Sequence, residues 1–119
     1  MNSDNPVVTM ATNQLREYFE GRRTVFDLPL NPSGSEFQVR VWKSLQSVGF
    51  GETVTYGQLA ERLGDPDTVR AVGRANGQNP IPVVIPCHRV IGSNGMLVGY
   101  SGGIERKEWL LKHEGALLL

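Results

Sequence analysis

The sequence holds one cysteine and two histidines among its 119 residues, and that scarcity excludes much. A lone thiol closes no internal disulfide and has no partner for a thiol–disulfide cycle. With no Cys-x-x-Cys pair, these three residues cannot build a structural zinc site unless carboxylates complete it. Neither sign of charge is in excess, 12 Lys and Arg standing against 12 Asp and Glu, so any nucleic-acid partner has to be engaged by a local patch. No apolar run is long enough to span a bilayer, none opens the chain as a leader, and there are no repeats or low-complexity tracts. A free cysteine points to a reducing compartment. The expectation is a soluble, cytoplasmic, membrane-independent protein, working as a monomer without metal or cofactor. At 39% hydrophobic residues, the chain is long enough to bury a core of its own.

Helix signals dominate what is present. A first helix is predicted over residues 10–20, with Ala11, Leu15, Tyr18 and Phe19 at helical spacing and Gly21 as its stop. Val25 to Leu30 reads as extended, and Asn31-Pro32-Ser33-Gly34 as a linker. The chain thus divides into an N-terminal appendage, 1–32, and a domain proper, 33–119. The second helix opens on a capping box, Ser35 with Gln38, and carries Phe37, Val41, Leu45 and Val48 before Gly49. The third runs Tyr56 to Leu63 behind a second box, Thr55 with Gln58, and Gly64 stops it. Asp65-Pro66 starts the fourth, which turns Val69 and Val72 inward and ends near Asn76-Gly77. Two short helices joined by a glycine-containing turn outline a helix-turn-helix. Ile81 to Ile85 and Val90-Ile91 read as short buried extended stretches, and Ser93-Asn94-Gly95 as a turn before Met96-Leu97-Val98. A loop, Gly99 to Gly103, precedes a last helix that holds Ile104, Leu110 and Leu111 and stops at Glu114-Gly115. The fold class expected is mixed α/β but mainly α: a small helical domain with a winged-helix-like helix-turn-helix and short strands and turns around the cysteine.

That cysteine, Cys87, lies in Pro86-Cys87-His88-Arg89-Val90, at the end of the apolar run Val83-Val84-Ile85. It reads either as an inert buried thiol or as a nucleophile. Pro86 restricts the approach of the chain, and His88 supplies a base or a cation that favours thiolate. Neighbours on a strand face opposite ways, so the two cooperate only through a turn or a bridging water. A third group orients such an imidazole. Glu114 is the best placed in sequence, the other reading being a solvated helix-end carboxylate. Arg70 and Arg74 share a helix face and are either solvated or functional. Gly73 between them costs roughly 1 kcal/mol relative to alanine, which close approach of another backbone would explain. Tyr56 and Tyr100 suit half-buried core positions. The 99–103 loop lacks the Lys-Ser or Lys-Thr that follows a phosphate-binding loop.

Taken together, Gly51-Glu52-Thr53-Val54-Thr55-Tyr56-Gly57-Gln58-Leu59-Ala60, Arg70-Ala71-Val72-Gly73, Asn79-Pro80, Ile85-Pro86-Cys87-His88-Arg89-Val90 and Gly99-Tyr100-Ser101-Gly102-Gly103 resemble the O6-alkylguanine-DNA alkyltransferase family. The resemblance runs from about Phe37 to Gly115. It implies stoichiometric, irreversible transfer of an alkyl group from O6-alkylguanine, with O4-alkylthymine a second candidate substrate, in double-stranded DNA to Cys87. By the resemblance, His88 deprotonates the thiol through a bridging water and Glu114 holds His88. Arg70 enters the base stack, Tyr56 presses on the target phosphate, and Tyr100 donates to the flipped purine, with the Ser101 backbone beside the alkylated oxygen. The Val90 carbonyl accepts from the exocyclic amine, Asn79 braces the turn, and Arg89 and Gly73 belong to the DNA-contacting set. The helix-turn-helix would enter the minor groove. Many family members carry a full N-terminal α/β domain, of which only the last piece, around Gln14 to Leu28, is expected here. Phe50 stands where a proline is common.

Three other readings compete. An alkyltransferase-like lesion sensor is short and single-domained, but such proteins typically lack the acceptor cysteine that this chain keeps. A Cys-His hydrolase leaves Arg70 and the helix-turn-helix unexplained. A transcription factor fits poorly with neutral charge.

Overall fold

In a computed structural model, which describes residues 5–97, 100 and 102–117, the chain forms two compact units that meet in sequence at Asn31 and Pro32. The architecture is small and mainly helical: five α-helices and a two-stranded sheet among the described residues. Val98, the last residue of the stretch expected after the Ser93-Asn94-Gly95 turn, and Ser101 lie outside them.

The N-terminal unit is built on α1 (Pro6–Phe19). It starts four residues earlier than the apolar spacing predicts. Asn5 is the cap, its side chain accepting from the backbone N–H of Val7 at 2.9 Å and of Val8 at 3.4 Å, and Pro6 takes the first turn, where a missing N–H costs nothing. The following segment folds back on this helix. Gln14 clamps the backbone of Asp27 from both sides, with two 2.9 Å hydrogen bonds, and the Tyr18 ring lies 5.5 Å from that of Phe26. No strand forms between Val25 and Leu30.

In the second unit, both capping boxes close reciprocally, Ser35 with Gln38 at the head of α2 (Glu36–Leu45) and Thr55 with Gln58 at the head of α3 (Tyr56–Arg62). Val41, Leu45 and Val48 are buried and Phe37 only half-buried. Trp42, at the centre of α2, is buried as well and donates its indole N–H to the Ala75 carbonyl at 2.9 Å. Ala75 belongs to α4 (Val69–Gly77), so one side chain fills the α2–α4 seam and satisfies its own polar atom.

The entry to α4 is a 3₁₀ turn, Pro66–Thr68, capped by Asp65, rather than α-helix from Pro66. Consequently Val69 stands in the first helical turn and is 38% exposed, not inward; Val72, Ala75 and Asn76 form the buried face.

The largest departure from expectation is between Asn79 and Arg89. Ile81 to Ile85 is not an extended stretch but a tight turn, closed by Ile85 N–H donating to the Ile81 carbonyl at 3.0 Å. Val83 has φ 74°, a costly conformation for a β-branched residue. Prolines 80, 82 and 86 remove ladder donors. The Asn79 side chain brackets the turn, accepting from Ile81 N–H at 2.9 Å and donating to the Ile85 carbonyl at 2.7 Å. The next residues, Cys87–Arg89, form a second 3₁₀ turn. β2 (Val90–Ile91) then pairs in parallel with β1 (Val54–Thr55), a strand with no signal of its own in the sequence.

The last helix, α5 (Ile104–His113), buries Leu110 and Leu111 and leaves Ile104 42% exposed. Its C-cap is Glu114.

Candidate active site

Cys87 begins the 3₁₀ turn, so the strand geometry that would set Cys87 and His88 on opposite faces does not apply. Both are buried. The turn winds three residues into one coil, and its third, Arg89, shares with His88 a single buried partner, Glu114.

Glu114 arrives from the far end of the chain as the cap of α5, and both of its carboxylate oxygens accept hydrogen bonds. Oε2 lies 2.8 Å from His88 Nε2 and accepts from Arg89 Nη2 at 2.9 Å. Oε1 accepts from Arg89 Nε at 2.8 Å and, at 3.5 Å, from the Gly51 N–H. A third guanidinium nitrogen, Arg89 Nη1, donates to the Val48 carbonyl at 2.6 Å. Arg89 is thus buried with its guanidinium committed to Glu114 and the α2 exit, a bidentate carboxylate pair of the strong kind. Gly51 makes the convergence possible. It has φ 81°, and a Cβ there would stand 3.1 Å from the Glu114 carbonyl oxygen, closer than side chains normally pack.

A carboxylate on Nε2 fixes the neutral His88 tautomer: the proton sits on Nε2, and Nδ1 keeps its lone pair. That Nδ1 is buried and has no partner among the described residues. Burial holds the His88 pKa below its ordinary value, outweighing the opposing pull of Glu114, so the ring is a neutral base near pH 7. The Cys87 thiol is pushed up by burial, partly countered by hydrogen bonding from Asn79 and by the charge of Lys107. Its resting form is therefore the thiol, and the residue that follows it in the turn carries a neutral, oriented imidazole.

Two half-buried tyrosines border the thiol. Tyr56, the first residue of α3, has its phenol pKa raised chiefly by burial and then by Cys87. The Tyr100 phenol is pushed up to about 12, again chiefly by burial. Both remain protonated hydrogen-bond donors at neutral pH. Arg70 and Arg74 are exposed on α4. Gly73 sits on α4 against the Tyr56 ring, where an added Cβ would be 3.7 Å from the nearest ring carbon, an ordinary contact. The interior of the protein therefore tolerates a methyl at this position. Asn79 is buried beneath the cysteine turn, and Val90 is fully buried in β2.

Two residues of the site have no counterpart in the sequence reading. Lys107 of α5 is fully buried with its ammonium 5.8 Å from the Tyr56 ring centroid, and burial depresses its pKa to about 8. The signal was a lysine one turn before Leu110 and Leu111 on the buried face, which helical spacing alone assigns to a snorkelling chain. Asn76, buried in the last turn of α4, donates to the Cys87 carbonyl at 3.4 Å. Among the described residues no group of three or more His, Cys, Asp or Glu could hold a metal ion.

This geometry has known relatives. The family profile "6-O-methylguanine DNA methyltransferase, DNA binding domain" matches residues 36–116. A methylated-DNA–protein-cysteine methyltransferase from Shigella flexneri is 57% identical over 109 residues, 91% of this chain and 64% of that protein. The crystal structure of Mycobacterium tuberculosis OGT in complex with DNA superposes with a TM-score of 0.87 at 52% identity, covering 89% of this chain and 65% of the other. S. pombe Atl1, in complex with damaged DNA containing O6-carboxymethylguanine, is more distant, with a TM-score of 0.62 and 31% identity over 71% of this chain and 80% of its own. The chain spans just under two thirds of the length of the Shigella relative. Matched over most of its length in sequence and in fold, it belongs to the 6-O-methylguanine DNA methyltransferase family, of which it carries the DNA-binding domain.

Proposed function

We propose that this protein repairs DNA by moving the alkyl group of O6-alkylguanine onto its own Cys87, once per molecule. The observation that carries the reading is the Cys87–His88–Glu114 arrangement, in which a carboxylate on Nε2 leaves Nδ1 with its lone pair on the residue that follows a buried thiol. In the reaction, His88 Nδ1 takes the thiol proton through a bridging water. Sγ attacks the alkyl carbon, the carbon–O6 bond breaks, and its electron pair stays on the purine, which takes up a proton to leave as guanine. The product is a thioether with no facile leaving group, and the chain's lone cysteine offers no resolving thiol. O4-alkylthymine presents the same electrophilic carbon.

A base inside a duplex cannot offer that carbon to a buried thiol, so the target nucleotide is flipped out at a cost of a few kcal/mol. Exposed Arg70 fills the gap, Tyr56 presses on the target phosphate, and Gly73 lets the α4 backbone approach the minor groove. Tyr100 donates to the flipped purine with Ser101 beside it, the Val90 carbonyl accepts from its amine, and Asn79 holds the cysteine turn in shape. Arg89 acts from within, holding Glu114. Phosphate contacts make binding salt-sensitive and weakly dependent on sequence. The DNA-bound M. tuberculosis relative and the named activity of the Shigella relative support this reading.

Similarity to Atl1 favours one alternative, lesion binding without transfer. Incubation with duplex DNA carrying one O6-methylguanine, followed by intact-protein mass spectrometry, separates the two. Transfer adds one methyl group to Cys87 and none to Cys87→Ala. Tight binding with no mass change would refute transfer and leave a lesion sensor.

A further inference from the structure

The exposed ridge of α4 carries two arginines, and the proposed reaction uses only the first. Val72, Ala75 and Asn76 form the buried face of this helix, so at about 3.6 residues per turn Arg70, Arg74 and Gly77 line the opposite one. Arg74 is exposed and follows Arg70 by about 6 Å along the axis. Arg16, Arg22, Arg23, Arg40 and Arg89 each find an acceptor within the protein. Among the described residues the Arg74 guanidinium has no hydrogen bond or ion pair, and α4 contains no acidic residue. In a chain of balanced charge, a polyanion has to be met at such unspent cations.

The neighbours of Arg74 put it on one particular flank of the helix. It lines a shallow cleft between α2 and α4, together with Ser35, Gln38, Ala71 and Gln78, and no carboxylate shares that lining. Gln38 donates to Gln78 Oε1 at 2.7 Å, which leaves the Gln78 NH₂ as a second donor in the cleft. The other flank of α4 belongs to Tyr56, whose ring stands 3.7 Å from where a Gly73 Cβ would be. A helix with its side chains is about 10–12 Å across, whereas the minor groove is about 6 Å wide. The groove cannot enclose α4, so the two flanks of the helix face the two phosphate backbones. With Tyr56 on a phosphate of the target strand, the Arg74 flank meets the complementary strand.

We propose that Arg74 pairs with a backbone phosphate of the complementary DNA strand, on the flank of α4 opposite Tyr56. It touches no reacting atom and contributes to holding the duplex. The choice of strand rests on the proposed function; the phosphate contact does not, and two measurements keep them apart.

The first is the salt dependence of binding to an undamaged duplex, read by fluorescence anisotropy, which needs no chemistry at Cys87. Each neutralised phosphate adds about 0.9 to the slope of log K against log salt concentration. Arg74→Gln lowers the slope by that amount, so its affinity loss between about 50 and 200 mM salt is about 3.5-fold smaller than that of the unsubstituted protein. Arg74→Lys keeps the slope, and Arg74→Ala is the second variant if glutamine does not fold. The second measurement uses Cys87→Ala, which holds a duplex with one O6-methylguanine without consuming it. Single uncharged methylphosphonate linkages are scanned along each strand. At one linkage of the complementary strand, binding weakens when Arg74 is present and is unchanged when Arg74→Gln is added. An unaltered salt slope in a folded variant, a loss that varies with base sequence, or coupling to the target strand alone would overturn the proposal. If Cys87 gains no methyl group from the lesion, the proposed function fails, while the slope still decides the phosphate contact.

Discussion

Two stretches of this protein obey different rules. From Ser35 to Leu63 the chain follows local chemistry. Each helix begins where a reciprocal capping box closes, although α2 ends at Leu45, one turn short of the Val48 that its apolar spacing reaches. From Asn79 to Arg89 local chemistry misleads. The run Ile81 to Ile85 has the composition of a buried strand, yet it folds as a turn with Val83 at positive φ, held by Asn79. The helix starts of the first stretch are fixed within three residues, whereas the second needs a side chain up to six residues away to close its turn and Glu114, 26 residues on, to hold His88. The proposed alkyl acceptor, Cys87, lies in the second, in keeping with strain being tolerated where surrounding structure over-determines the backbone.

Perturbing each region sharpens the contrast. Glu114→Ala should have the largest effect on stability. It leaves Arg89 buried without its carboxylate and His88 without its orienting partner, and breaking a buried pair from one side costs about 3–5 kcal/mol. Urea unfolding reads this as a lower midpoint at unchanged slope. Leu45→Ala, in the locally determined region, creates a cavity in a fully buried site, worth about 2–5 kcal/mol. Unlike Glu114→Ala, it should leave the rate of methyl transfer in the folded fraction nearly intact.

Caps are weaker still. Thr55→Ala removes the acceptor for the Gln58 N–H and should cost about 1 kcal/mol, visible as a drop in Tm. The smallest effect is graded with pH. The folded-state pKa of His88 is depressed below its ordinary 6.5, so the unfolded chain binds the extra proton first. Stability from this residue is fully present above pH 6.5 and declines as pH falls below it. Chemical denaturation at pH 7.5 and pH 6 should show it, and His88→Asn should diminish it.

Much of the functional site was legible before folding was considered. Residue type and position single out Cys87, His88 and Glu114, and the structure brings His88 and Glu114 together at 2.8 Å; the roles of Arg70 and Tyr56 rest on the resemblance and belong to the proposal. Lys107 and Asn76 were not, because a lysine or an asparagine on a helix normally reads as solvated, and only the packing of α5 and α4 buries them. Arg89 carried the opposite error. A basic residue beside a nucleophile suggests a DNA contact, whereas its guanidinium is spent on Glu114 and Val48.

The amino-acid sequence by itself determined the capped starts of α2 and α3 and marked Cys87 as the candidate nucleophile, because capping and helical spacing act over three or four residues. Tertiary structure alone decided the short parallel pairing of Val54–Thr55 with Val90–Ile91, the left-handed Val83 turn and the protonation state of His88. The strand pairing joins residues 36 apart and His88 meets Glu114 across 26, and the His88 protonation state depends further on how deeply the pair is buried once it meets.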